Sequence, residues 1–299
     1  MDNIVIIDAY AHIYRNYYAM SKGGAFQSPD GQPVGAIFGM ARLLMQIENS
    51  LKPKYAAVAF DKGKPKYRCE LLPEYKAQRP PMPDDLRAQV QPIREWFLAF
   101  GWNIVEEEGR EADDLIAAIV KLKEDCSVDI LAFDKDIMQL VQPNVRLLAP
   151  GKNATWIPTE EEQVQEKFGV APEMLPAYLA LLGDSSDNVK GVDGVGPKTA
   201  AKLLNDFNGI DGLIQNIDNI EPKRIQDNIR QGQDILDRNM KLITLDSTTP
   251  KGFVSLEQSI KKKEPDWKLI KELAEALAFK SMIPAIDKAA KAQLQPTLF

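Results

Sequence analysis

Asn3-Ile4-Val5-Ile6-Ile7-Asp8 is a short, wholly apolar run closed by an acid. A strand apolar on both faces belongs in the middle of a parallel sheet with helices on either side. Three more such runs follow: Tyr55 to Phe60, Trp102 to Val105 and Val128 to Phe133. Between them, Val34 to Leu51, Asp84 to Phe100 and Glu111 to Glu124 carry the apolar spacing of amphipathic helices. Strand and helix in alternation predict an α/β fold with a mostly parallel central sheet flanked by helices. Beyond about Thr159 the pattern becomes almost wholly helical, broken by the glycine-rich Gly191 to Gly196. The organisation expected is an α/β core over 1–165, a helical region over 166–290 and a tail over 291–299.

With 299 residues, 44% of them apolar, the chain can bury one large core or a core with a smaller companion. It has no run of eighteen apolar residues, and Met1-Asp2 leads into the first strand without a basic and then apolar leader. The expectation is a soluble cytoplasmic protein that does not enter a membrane. Cys69 and Cys126 stand far apart, and the one histidine, His12, has no second imidazole or thiol near it in sequence. Neither a disulfide framework nor a zinc site fits, and His12 is expected to be structural. A net charge of −6 argues at first against a phosphate-rich partner. If nine acids sit in one metal cluster, however, the remainder carries +3, which leaves room for a basic groove.

Three of the four apolar runs end in aspartate: Asp8, Asp61 and Asp134. The carboxyl ends of parallel strands lie along one sheet edge, where ligands bind, so these acids should meet in space. The remaining run precedes Glu111-Ala112-Asp113-Asp114, Asp136 follows Asp134 by two residues, and Asp184 and Asp187 lie in the small polar stretch Gly183 to Asn188. Helix capping is the ordinary alternative for any one of these acids. Nine together cannot remain ionised without counter-charge. Oxygen donors without imidazole or thiolate select Mg²⁺ or Mn²⁺. Two such ions, about 3.5 to 4 Å apart, can activate water and stabilise both oxygens in phosphodiester hydrolysis.

At these residues the chain resembles the 5′ nuclease domain of bacterial DNA polymerase I and the wider flap endonuclease family, over nearly its whole length. The acidic motifs occur in the family's order: Asp8 with Tyr14-Arg15, Phe60-Asp61, Glu111-Ala112-Asp113-Asp114, Asp134-Lys135-Asp136, and Gly183-Asp184 through Asp187-Asn188. Ser28 to Pro33, Gly35 to Gly39 and Glu74-Tyr75-Lys76-Ala77-Gln78-Arg79 are similar too. The resemblance implies a PIN-like nuclease core cutting DNA at 5′ ends, flaps or nicks, as 5′–3′ exonuclease and flap endonuclease. It extends to RNA primers annealed to DNA. Asp8, Asp61 and Asp113 would mainly serve one ion, Asp136, Asp184 and Asp187 the other, with Glu111, Asp114 and Asp134 between.

Six basic residues (Lys62, Lys64, Lys66, Arg68, Lys76 and Arg79) follow Asp61 against Glu70 and Glu74. They can draw in a 5′ strand and offset charge on the scissile phosphate. In the family this stretch belongs to a helical arch, here about 62–95, with the counterparts of Lys76 and Arg79 on that phosphate; Arg68 is counted with them as catalytic. Tyr14 offers a face for a terminal base, with Arg15 beside it, although a core role for the tyrosine remains open. Gly191-Val192-Asp193-Gly194-Val195-Gly196-Pro197-Lys198-Thr199-Ala200 resembles the family's helix-hairpin-helix, at about 184–207. Its backbone N–H groups, with Lys198 and Thr199, would grip duplex phosphates, and a monovalent cation would assist there. Pro197 breaks the spacing of a nucleotide-binding loop, which excludes an NTPase.

The last five residues resemble a sliding-clamp peptide, with Gln295 fixing register and Leu298 and Phe299 entering an apolar pocket. The chain shows no polymerase region after the nuclease, so a monomeric enzyme working alone or recruited by partners is expected. A non-catalytic DNA-structure-binding module of the same fold is the rival reading, and an RNA-directed nuclease a third.

Overall fold

The computed structural model describes residues 1–21 and 26–294. Six strands form one sheet: β1 (Asn3–Asp8), β2 (Tyr55–Ala59), β3 (Asn103–Val105), β4 (Ser127–Leu131), β5 (Val145–Pro150) and β6 (Trp156–Thr159), in the order β3-β2-β1-β4-β5-β6. All neighbours run parallel except β6, which pairs antiparallel with β5. The chain leaves β1 first toward β2 and then returns to its other side with β4, so the topological switch point lies between β1 and β4. Ile7 is level with both Val58 and Leu131. Asp8, Asp61 and Asp134 are therefore carried to the same edge, within a few residues of their strand ends.

Successive residues of β1 point to opposite faces and serve two cores. Val5 and Ile7 pack with α1 (Ala9–Ser21), α2 (Gly35–Ser50) and the helix after α3 (Lys66–Leu71), namely α4 (Asp84–Ala99). Ile4 and Ile6 pack with α5 (Ala112–Lys121) and, past α6 (Glu161–Phe168), with α7 (Leu175–Leu182). From α7 the same core continues through α8 (Pro197–Asp206), α9 (Ile210–Gln215), α10 (Lys223–Gln231), α11 (Gln233–Ile243) and α12 (Leu256–Ser259). The last helices, α13 (Trp267–Ala276) and α14 (Ile283–Leu294), return to the opposite face through Ile270, Ala274 and Ile286. The helical half thus lies on both sides of the sheet.

The four anticipated strands and three anticipated helices all form, with boundaries shifted by one to three residues: β3 starts at Asn103, β2 ends at Ala59 and β4 at Leu131. Strands β5 and β6 add to them without a clear sequence signal. Pro150 and Pro158 mask them, and proline is tolerated there because the pair forms the sheet's antiparallel margin. The expected arch is helical only at α3 and from Asp84 onward; the stretch between is turns and extended chain. The clamp peptide expected at Gln295, Leu298 and Phe299 lies outside the described residues. Among the described residues, no helix is long and apolar enough to cross a membrane.

Candidate active site

The acids at the sheet edge form two adjoining groups. Asp8, Asp61, Asp113 and Asp134 line a cavity of about 750 Å³ with Tyr14, Arg15, Lys76, Arg79 and Phe133. Asp8 accepts a hydrogen bond from Ala11 N at 3.1 Å, capping α1, and Asp61 accepts one from Ala112 N at 2.7 Å, at the start of α5. Capping and site-building thus coincide, because a strand end that starts a helix also puts its acid on the ligand edge. Burial, with Asp61 and then Asp134 nearby, raises the Asp8 carboxyl to about 7. Burial and the neighbours Asp8, Asp134 and Asp61 likewise hold Asp113 well above the usual carboxylate range.

The second group comprises Asp136, Asp184 and Asp187, each offering an oxygen within 4.8 Å of the others. Asp136 follows β4, whereas the other two lie in the ribbon between β7 (Gly183–Asp184) and β8 (Val189–Lys190). Close backbone crossing makes this turn: a Cβ on Gly183 would lie 2.4 Å from Gly191 N, and Gly183 itself has φ +79°. Burial, then Asp134, Asp184 and Asp187, raises Asp136 to about 8. Burial also acts on Asp184, but hydrogen bonds from Ser186 and Lys135 outweigh it and hold that carboxyl below its usual range. Lys135 lies 3.0 Å from Asp184, and Arg79 is 2.6 Å from Asp187.

The segment bearing Lys76 and Arg79 is fastened across this second group. Lys76 N donates to Asp187 O at 3.1 Å, Gln78 Nε2 to Ser186 O at 2.9 Å, and Asn188 Nδ2 to Glu74 O at 3.0 Å. These bonds hold Lys76 at φ +55°, a left-handed conformation that a lysine adopts at a cost. The Lys76 ammonium pairs with Glu111 and lies 3.5 Å from Asp187. Burial works against its charge, but Glu111 and Asp187 prevail and raise its pKa. The Tyr75 hydroxyl sits between Glu111 and Asp187, 3.2 and 3.0 Å away, with one proton to donate to either.

Two expected assignments need correction. Arg68 is buried, not presented to a substrate phosphate: it binds both oxygens of Asp114 at 2.6 and 2.8 Å, Glu111 at 2.8 Å and the Leu242 carbonyl at 2.8 Å. Asp114 is accordingly not between the two groups; its other bond is from Asp246 N at 2.9 Å. Consecutive residues of a helix are turned by about 100°, so Asp113 and Asp114 cannot face the same way. Glu111 stays at the border, held by Arg68, Tyr75 and Lys76. Sequence assigns no role to Tyr75 or Lys135, although both lie inside segments that stand out as motifs.

Gly191 leads from β8 into the turn ahead of α8, where Gly194 has φ +75° and Gly196 is the N-cap with open space beside it. Lys198 is exposed and Thr199 half-buried on the first turn of α8, and Asn228 of α10 braces the turn by donating to Asp193 O at 2.8 Å. Arg15 is exposed, its guanidinium 4.3 Å from the Phe133 ring centre. His12 is buried against Phe133, and burial with Arg15 nearby pushes its imidazole down to about 3.

Residues 3–169 match the family model for the 5′-3′ exonuclease N-terminal resolvase-like domain, and residues 170–278 that for the 5′-3′ exonuclease C-terminal SAM fold. The chain belongs to the 5′-3′ exonuclease family. It is 32% identical to a 5′-3′ exonuclease of Aquifex aeolicus across the full length of both. It is also 35% identical to DNA polymerase I of Caldicellulosiruptor bescii, over 94% of this chain but 33% of the polymerase, so it spans about a third of that relative. A similar fold occurs in the bacteriophage T5 flap endonuclease solved with DNA and metal ions (TM-score 0.64, 22% identity, 92% of this chain and 99% of that one).

Proposed function

We propose that this member of the 5′-3′ exonuclease family hydrolyses phosphodiester bonds near the 5′ ends of nicked and flapped DNA, with divalent metal ions, Mg²⁺ or Mn²⁺, as cofactors. The convergence of seven aspartates on one sheet edge carries the reading. The donor set fits hard cations: it is all oxygen, and Asp136 Oδ1 and Asp184 Oδ2 are buried without a hydrogen-bond partner. Asp8, Asp61 and Asp113 would hold one ion and Asp136, Asp184 and Asp187 a second, with Asp134 between them, beside both Asp8 and Asp136. Bound there, the ions supply positive charge and acidify water for attack on phosphorus.

The chain's own residues do the rest. Lys76 and Arg79, already beside the acids, are placed to neutralise the scissile phosphate as charge builds on it. Tyr14 gives a face to the adjoining base, and Arg15 meets backbone phosphate. The α8 N-terminus with Lys198 and Thr199 holds duplex without reading sequence. Arg68 and Asp114 brace the arch base against α5 and the end of α11. The chain's likeness to DNA polymerase I and to the T5 flap endonuclease in complex with DNA supports DNA replication and repair, flap cleavage and a DNA substrate. Docking on a sliding clamp through Gln295, Leu298 and Phe299 belongs to the same reading, as does action in the cytoplasm as a monomer.

The test is release of a labelled 5′ flap by the purified chain with Mg²⁺ or Mn²⁺ and without. Metal-dependent release is expected. Tight binding with no release under either metal would support a non-catalytic module instead.

A further inference from the structure

Three tyrosines project from one stretch of α1. Tyr14 lines the carboxylate cavity. Tyr18, one helical turn on, is 55% exposed, and its ring lies nearly parallel to that of Tyr14, at 22° with centres 6.3 Å apart. Tyr17 packs edge-on against Tyr18, at 67° and 5.2 Å, while its own hydroxyl donates to the Asp85 carboxylate of α4 at 3.0 Å. The Tyr18 ring therefore packs on an anchored neighbour, although the residue is more than half exposed.

A lone exposed aromatic needs no explanation. An exposed ring held in register with a second ring, which itself enters the catalytic cavity, is a different object. It is a preformed apolar step, and fixing it in advance removes part of the ordering cost of binding. Cations lie nearby: Arg15 is on the same helix, and Arg79 and Arg87 bear on Tyr14, while Tyr17 occupies the adjoining carboxylate of Asp85. Flat apolar faces with arginines close by suit single-stranded nucleic acid, whose bases stack while its phosphates take the charge.

We propose that Tyr18 is a second stacking position: Tyr14 takes the base nearest the carboxylates, and Tyr18 takes the next unpaired base of the 5′ strand. The rise of one helical turn, about 5.4 Å, is within the reach of adjacent nucleotides in an extended strand. This inference rests on the nuclease reading and adds a specificity element to it, favouring substrates whose 5′ strand is unpaired by more than one nucleotide.

The experiment places 2-aminopurine at successive unpaired positions of a 5′ flap and measures binding to the full chain with EDTA present. The unaltered protein should quench one position beyond that at Tyr14. Tyr18→Ala and Tyr18→Leu should abolish that second quench and weaken flap binding by roughly 5- to 150-fold, the range for one stacked base. Tyr18→Phe should bind like the parent. A nicked duplex with no flap should bind all four proteins alike. Unchanged flap binding by Tyr18→Ala, full rescue by leucine, or an equal loss on the unflapped nick would overturn the stacking role. Flap release by the unaltered protein in Mg²⁺ separates the two claims: no release defeats the nuclease reading, whereas release with an inert Tyr18→Ala defeats only the second step.

Discussion

The two carboxylate groups answer the same electrostatic problem differently. Around Asp8 and Asp113 the charge is relieved chiefly by protonation, with Asp8 raised to about 7 and Asp113 also high. Around Asp184 and Asp187 it is relieved largely by side-chain cations, Lys135, Arg79 and Lys76. The first group stands just past strand ends and on the first turn of α5, whereas Asp184 and Asp187 of the second ride on a ribbon tied to the arch segment. A metal entering the first group must displace protons, and one entering the second must displace the proton of Asp136 and also compete with ammonium and guanidinium groups. Both sites should therefore depend on pH, and the second should respond more to loss of a neighbouring cation.

The largest expected effect comes from removing an acid of the first group. Asp113→Ala or Asp134→Ala should lower flap cleavage by about a thousandfold or more, since several kcal/mol of transition-state stabilisation go with a ligand. DNA affinity in EDTA should hold, and the melting temperature of the metal-stripped protein should hold or rise. Near-normal turnover would remove that residue from the site.

The brace behaves oppositely. Arg68→Ala leaves Asp114 and Glu111 buried without their cation, a loss of about 3 to 5 kcal/mol of stability. Denaturant unfolding would check it, and a change below about 1 kcal/mol would make Arg68 a candidate for phosphate binding again.

The pH dependence of stability tests the protonated acids directly. In metal-stripped protein the folded chain keeps protons on Asp8 to about 7 and on Asp136 to about 8, whereas an ordinary carboxylate loses its proton near 3.8. The folded state then binds more protons than the unfolded one, so stability falls as pH rises through that interval. Melting temperatures measured from about pH 5 to 8.5 should decline, less steeply for Asp136→Asn. Divalent metal should restore most at the upper end, where no proton needs displacing. A flat or rising profile without metal would contradict the assigned shifts.

Smaller effects belong to the substrate contacts. Lys76→Ala and Arg79→Ala should reduce the cleavage rate more than duplex binding, and Lys198→Ala should do the reverse, lowering the salt dependence of binding by about one phosphate contact. Equal changes in both measurements for all three variants would merge the two regions into one.

The sheet and its acidic edge are legible in the sequence alone. The apolar runs at Asn3, Tyr55 and Val128, each closed by aspartate, are enough to build a parallel sheet and place its acids on one edge, because strand direction decides where strand ends go. Helix α1 is harder: Ala9–Ser21 is rich in tyrosine, a middling helix former, and shows neither a clean stripe nor an alternation. The pairing of charges is not legible at all. Asp113 and Asp114 are neighbours in sequence, yet the pitch of α5 sends one to the cavity and the other to Arg68. The arch segment reads as a cationic gate, but its closure over Asp187 depends on backbone carbonyls, which carry no sequence signature.

The most direct measurement is the number of Mn²⁺ ions bound per chain, by electron paramagnetic resonance titration of metal-stripped protein and of two variants, one in each group. Two ions are predicted for the unaltered chain, with Asp113→Asn and Asp187→Asn each losing one. A stoichiometry that neither substitution changes, or no bound ion at all, would contradict the account of two carboxylate groups as two metal sites.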